Sequence, residues 1–310
     1  MFKPNKYLNF WVKLIIGLVV IAFVGWKIYQ MMKSESYKGP FETQFTWQLI
    51  TVVLVLMVVN WSIETVKWKA LMQTLKPLTF KEAFASVLAG ISTGIITPNR
   101  LGNFIGRTML LEKEIKTKAT LLTFLSNLSQ FVPTVFFGCL GLLAITTNYQ
   151  SQPQLIIFCS GILLLILALV LYMHPKHANR KPFNYLFTSK IIEAINFIEQ
   201  TPAQIKLSLL GLSALRYLVF LAQYVLLLLL FEQNQGVFVL VVNVSMVYLL
   251  MTIIPGLLFG KLFVREAAGL LVLGQIGVPD AVILATGFIL WLINIGVPSL
   301  VGTIFLFRKK

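Results

Sequence analysis

Between Ala119 and Pro175 the chain carries no Asp, Glu, Lys or Arg, and shorter uncharged runs cover Leu14 to Trp26, Trp47 to Ile63, Val237 to Gly260 and Ala281 to Phe307. A bilayer crossing takes about 20 predominantly apolar residues, so the run from Ala119 must hold two helices. The turn formers of Thr146 to Gln154 mark the break between them. With 57% hydrophobic and only 12% charged residues, the chain is too apolar to bury as a soluble domain of this length. The expected class is an all-α integral membrane protein.

Division of the apolar pattern predicts about eight crossings, near residues 12–32, 47–66, 119–146, 154–173, 204–231, 237–254, 262–277 and 280–307. The stretch Ala83 to Thr97 is uncharged but short, contains Gly90 and Gly94 and ends at Pro98. It reads as a half-helix or re-entrant segment rather than a full span. Residues 1–310 form one polytopic domain, with repeat halves at 47–146 and 204–307.

Two segments break the pattern in corresponding places. TGIITPNRLGNFIGR (Thr93 to Arg107) and TIIPGLLFGKLFVR (Thr252 to Arg265) each run from an apolar stretch into a proline, then glycines four apart, then an arginine. Lipid does not tolerate a broken helix unless protein or water satisfies the freed backbone groups, so matched interruptions point to a paired site in an inverted-repeat arrangement. The glycine pairs are Gly102 with Gly106 and Gly256 with Gly260. GxxxG spacing also serves plain close packing of helices.

The basic residues fix orientation. Lys3, Lys6 and Lys13 precede the first helix; Lys67, Lys69, Lys76 and Lys81 follow the second; Arg308, Lys309 and Lys310 lie last. The turns Asn148 to Gln154 and Glu232 to Gly236 have neither Lys nor Arg. By the positive-inside rule both ends face the cytoplasm of a cell membrane. The net charge of +15 therefore reads as topology and contact with anionic headgroups, not as nucleic-acid binding. Ile191, Ile192, Ile195 and Ile198 recur at helical spacing and predict an amphipathic helix along the inner interface.

Chemistry of the enzymatic kind finds little footing. His174 and His177 flank Pro175 with no carboxylate or cysteine beside them, there is no Walker loop, and Cys139 and Cys159 need no role beyond packing. No enzyme activity, metal or cofactor is expected.

Polar groups inside the spans remain to be explained. Arg216 lies ten residues beyond Lys206, about 15 Å along a helix at 1.5 Å per residue, and needs a cavity or a partner. Arg100, Asn103 and Arg107 share one helical face at i, i+3, i+7, while Lys261 and Arg265 pair at i, i+4 with Glu266 adjacent. Glu64, Asn127, Gln130, Gln223, Asn243 and Asn294 add neutral or acidic partners. Ionisable residues at such depth mark a substrate pathway or a mutual ion pair. Thr97, Pro98, Asn99, Arg100, Gly102, Asn103, Arg107, Arg216, Pro255, Gly256, Gly260, Lys261, Arg265 and Glu266 are thus the candidate substrate-binding residues.

These residues resemble the transmembrane, flippase-like domain of lysylphosphatidylglycerol synthases and its stand-alone relatives. That family pairs Arg-Trp at the end of an early helix, where Lys67-Trp68 stands here. It follows with a proline-glycine-arginine-leucine-gly-glu stretch, matched by Pro98 to Asn103 with Arg107, and a late proline-glycine turn leading to glutamate, matched by Pro255-Gly256 through Arg265-Glu266. Asn99 replaces the usual glycine and Asn103 the usual glutamate, the mark of a divergent branch.

The resemblance implies movement of a phospholipid or lipid-linked headgroup across the bilayer, with membrane lipids, anionic ones foremost, as partners. It also implies a stand-alone member without the synthase domain. A non-catalytic membrane subunit partnering a lipid-modifying or glycosyl-transferring enzyme and a secondary transporter of a small anion are the two alternatives; a homo-oligomer or a membrane enzyme partner is compatible with the sequence.

Overall fold

In the computed structural model, residues 26, 29, 47–95, 97, 100–146, 152–179, 189–231, 235–254 and 260–307 are described. They are all α, with no strand among them. The first predicted crossing, 12–32, lies outside this set apart from helical Trp26 and Tyr29. The described helices are α1 Trp47–Met72, α2 Phe80–Ile95, α3 Gly102–Met109, α4 Lys116–Thr146, α5 Gln152–Met173, α6 Ser189–Glu199, α7 Ala203–Leu230, α8 Val237–Ile253, α9 Gly260–Val272, α10 Asp280–Trp291 and α11 Val297–Phe307.

Among the described residues, four stretches are long and apolar enough to cross a membrane: Trp47–Met72, Lys113–Ala144, Ala203–Leu230 and Asp280–Leu306. Phe158–Met173 and Val237–Ile253 are shorter apolar helices. The predicted crossing at 262–277 is α9, whose 13 residues reach only about 20 Å, well short of a bilayer core of about 30 Å. The second crossing runs further than its apolar run, to Met72, because neither Lys67 nor Lys69 breaks a helix. Lys67 is fully buried on it and does not belong to the following loop.

Helix α2 starts with a capping box. The Thr79 backbone N–H and hydroxyl both donate to Glu82 Oε2 (2.9 and 2.8 Å), and the Glu82 N–H donates back to Thr79 Oγ1 (3.3 Å). The helix then reverses near Arg100, whose φ of 58° puts a non-glycine residue in the left-handed region.

Helix α3 returns antiparallel against α2, and glycines make the approach close. A Cβ at Gly102 would run into the Thr93 carbonyl, and one at Gly106 into Thr93 Oγ1 and the Ala89 carbonyl. Thr97 secures the reversal: its hydroxyl donates to Thr93 O at 3.1 Å and accepts from the Gly102 N–H at 2.7 Å. On the far side of α2, Gly302 of α11 packs on the Leu88 carbonyl, and Ser92 Oγ donates to Ser299 O. Lipid supplies little hydrophobic drive between helices, so such small-residue contacts carry much of the association.

Among the described residues three apolar cores result, a small one of Val132, Val135, Cys139, Leu165 and Leu249 from α4, α5 and α8, and two larger ones. One gathers Tyr224, Leu228, Val244, Ala268 and Ile283 from α7 to α10; the other gathers Trp68, Leu71, Val87, Leu122 and Leu209 from α1, α2, α4 and α7. Along α1 the changeover from Val53 in the first core to Trp68 in the second falls at Asn60 and Glu64. Along α7 the changeover from Leu209 to Tyr217 falls at Ser213 and Arg216. A polar seam separates these two cores.

Candidate functional site

Glu64 is the hub of the seam. Its Oε1 accepts from Arg107 Nη2 at 2.7 Å, and its Oε2 lies 3.1 Å from Arg216 Nη1 and 3.3 Å from Lys67 Nζ. The carboxylate side chain is 4% exposed, and so much burial is tolerable only because three cations compensate it. Aromatic faces steady two of them. The Arg107 guanidinium sits 5.1 Å over the Trp68 ring, and Arg216 lies 5.1 Å from Trp61 and 5.2 Å from Phe220.

A hydrogen-bonded chain continues from Arg216. Its Nε donates to Asn60 Oδ1 (2.7 Å), Asn60 Nδ2 to Asn294 Oδ1 (3.0 Å), Asn294 Nδ2 to Gln223 Oε1 (3.1 Å), and Gln223 Nε2 to Val53 O (2.9 Å). Asn294 reaches this line from Leu292–Gly296, a π-helical turn between α10 and α11. Such turns inside α-helices are rare and recur at functional sites.

Three cavities adjoin the chain, of about 360, 230 and 100 Å³. Arg100 and Arg216 line all three. Arg100 is exposed there, and among the described residues its guanidinium has no hydrogen-bond or ion-pair partner. In the largest cavity the other walls include Asn103, Ser126, Asn127 and Gln130. Pro133 lies on the same stretch of α4; lacking an N–H, it leaves the Ser129 carbonyl without its helical donor.

The second interrupted segment meets the same space. Thr252, at the end of α8, lines two of the cavities, and Arg265 of α9 lines the one of 230 Å³ together with Arg100. Arg265 Nη2 donates to Glu266 Oε1 (2.9 Å) and to the Gly287 carbonyl, where only a glycine of α10 leaves room for the Glu266 carboxylate. Across the seam and Arg265, five cations (Lys67, Arg100, Arg107, Arg216, Arg265) face two carboxylates (Glu64, Glu266).

The candidates fall into groups. Arg100, Asn103, Arg107 and Arg216 come together at the cavities, and Arg265 with Glu266 flanks them. Arg100 is not on the face of α3, because its left-handed backbone precedes that helix; Asn103 and Arg107 are. Thr97 and Gly102 serve the α2–α3 reversal and line none of these three cavities. Pro98, Asn99, Pro255 and Gly256 lie outside the described residues, and of Gly260 and Lys261 the structure describes the backbone, the start of α9. Asn243 bonds its own helix at Val239 O.

Lys67 and Glu64 deserved a larger place than the sequence gave reason to assign. The i, i+3 spacing of an acid and a base on one apolar helix was the available signal. No curated protein and no solved structure matches the chain. Residues 10–302 match the family described as the lysylphosphatidylglycerol synthase TM region, so the chain belongs to that family of membrane proteins tied to lipid handling.

Proposed function

We propose that this chain carries an anionic phospholipid or lipid-linked headgroup across the bilayer, taking its phosphate between Arg100 and Arg216 while the acyl chains stay in lipid. The observation that carries the reading is that these two guanidiniums line all three cavities and Arg100 has no acidic partner among the described residues. A cation at membrane depth is costly, and a phosphate offers a guanidinium paired, charge-assisted hydrogen bonds. Glu64 then holds Arg107, Lys67 and one edge of Arg216, leaving Arg100 for the ligand.

The two interrupted segments act as re-entrant hairpins of an inverted repeat, α2–α3 from one half and α8–α9 from the other. Helices of 16, 8, 17 and 13 residues, about 24, 12, 26 and 20 Å long, are each shorter than the bilayer core. Purified protein in liposomes should speed the exchange of fluorescently labelled phosphatidylglycerol between leaflets. Arg100→Gln and Arg216→Gln should each slow it at least tenfold. Equal rates in native protein, variants and protein-free vesicles would overturn transport; a fast rate indifferent to both variants would overturn the assigned site.

A further inference from the structure

Two anions have a claim on Arg265. It lines the 230 Å³ cavity with Arg100 and Arg216, yet its Nη2 is engaged away from that space, by Glu266 Oε1 (2.9 Å) and the Gly287 carbonyl. Glu266 itself lines none of the three cavities. A phosphate entering between Arg100 and Arg216 puts a second anion in the cavity that Arg265 lines, and carboxylate and phosphate then compete for one guanidinium.

The two buried acids differ in their support. Glu64 is shared by three cations and stays compensated if one of them turns away. Among the described residues Glu266 has Arg265 as its one ion-pair partner; its side chain is 7% exposed, and its Oε2 is buried without a hydrogen-bond partner. The titratable and charged side chains described on the helices packed around it do not replace that cation. On α7 they are Tyr224, Tyr217 and Arg216, the last held by Glu64; on α8 there is Tyr248, whose hydroxyl donates to Phe220 O at 3.0 Å; on α10 there is Asp280, which lies by Gly274 beyond the end of α9. A carboxylate stripped of its cation in such a place is costly, and the smallest group that compensates it is a proton.

The surroundings can complete a protonated carboxyl. Tyr224 Oη lies 3.2 Å from the Cβ position of Gly269, three residues along α9 from Glu266, and Thr286 immediately precedes the Gly287 that makes room for the carboxylate. Both hydroxyls are buried without a hydrogen-bond partner, and a hydroxyl can both accept an O–H and donate its own.

Resting on the transport reading above, we propose that Glu266 is a proton-binding site and that Arg265 couples lipid movement to proton movement. A proton from water adds to Glu266 Oε2 while Arg265 Nη2 exchanges Oε1 for a phosphate oxygen. On release of the lipid at the other face the guanidinium returns to the carboxylate and the proton leaves to water there. By linkage, a phosphate in the cavity favours the proton on Glu266 as much as the proton favours the phosphate.

Vesicles containing the purified protein, clamped at zero membrane potential with a pH difference of about one unit, test the coupling. Relative to protein-free vesicles, labelled phosphatidylglycerol should accumulate severalfold on the alkaline side. Glu266→Gln and Arg265→Gln should each abolish that accumulation, and a sodium gradient should not replace the pH difference. A second readout needs neither variants nor movement. Dicyclohexylcarbodiimide, which attacks protonated carboxyls in apolar surroundings, should label Glu266 rather than Glu64, severalfold faster with phosphatidylglycerol in the micelle than without, as read by peptide mass spectrometry. Lipid exchange indifferent to the pH difference, or labelling of Glu266 indifferent to the lipid, would overturn the coupling and leave transport standing. Lipid-dependent labelling of Glu266 without any exchange would support the proton site and overturn transport.

Discussion

Arg107 Nη2 lies 2.7 Å from Glu64 Oε1, both side chains less than 5% exposed, and this contact ties the α2–α3 hairpin to α1. Two further cations share the same carboxylate, so removing it leaves three positive charges without compensation.

Glu64→Gln should therefore destabilise the protein by about 3–5 kcal/mol, the usual cost of breaking a buried ion pair from one side. Thermal unfolding in detergent reads the loss. Glu64→Gln combined with Arg107→Gln should lose less than the two single changes added together, because the pair is coupled. Additive losses would mean that the contact does not hold the hairpin.

The close approach of α3 to α2 makes a prediction about glycines. Gly106→Ala sets a methyl against Thr93 Oγ1 and the Ala89 backbone and should cost about 1–3 kcal/mol. Gly211 on α7 has nothing within 4 Å of a Cβ position, so Gly211→Ala should be neutral or stabilise by up to about 1 kcal/mol. Equal effects at the two sites in a melting experiment would contradict the packing described.

Cross-linking checks the hairpin without any stability measurement. A Cβ built on Gly94 lies 3.5 Å from Asn103 Cβ, at the short end of the disulfide range of about 3.5–4.5 Å. With the free Cys139 and Cys159 changed to Ser, the Gly94→Cys, Asn103→Cys protein should oxidise readily within one chain. Persistent free thiols under mild oxidant, read by a mass tag, would place the two helices apart.

Asn294 connects the π-helical turn to the arginine. Asn294→Leu leaves Asn60 Nδ2 and Gln223 Oε1 without their partners, at a cost of about 1–3 kcal/mol for each buried group abandoned. Because Asn60 also positions Arg216 Nε, lipid exchange should slow severalfold in this variant even at temperatures where it is fully folded. Unchanged exchange would separate the asparagine chain from the arginine's task.

Much of the architecture was legible because apolar helices announce themselves by uncharged length: α4, α5, α7 and α8 begin and end within three residues of the expected bounds. The depth of Arg216 followed from counting helical rise beyond Lys206, and its need of a partner followed from its charge. Glu64 was visible as an intramembrane acid but not as a hub, since its partners Arg107 and Arg216 come from other helices and no periodicity links them.

Lys67 was misplaced for an opposite reason. Lysines just beyond an apolar run ordinarily report topology; the resemblance set Lys67-Trp68 at a helix end, but only the fold reveals that this lysine is buried against Glu64. Arg100 was assigned to a helical face by spacing alone, which cannot foresee a left-handed residue before a helix. The π-helical turn at Leu292–Gly296 was equally invisible, because one extra residue in a turn leaves the apolar pattern around Asn294 unchanged.

An experimental structure in nanodiscs rich in phosphatidylglycerol tests the central claim most directly. A lipid phosphate should appear between Arg100 and Arg216, within hydrogen-bond distance of both guanidiniums. A cavity holding water alone, with Arg100 turned onto a protein carboxylate, would contradict it.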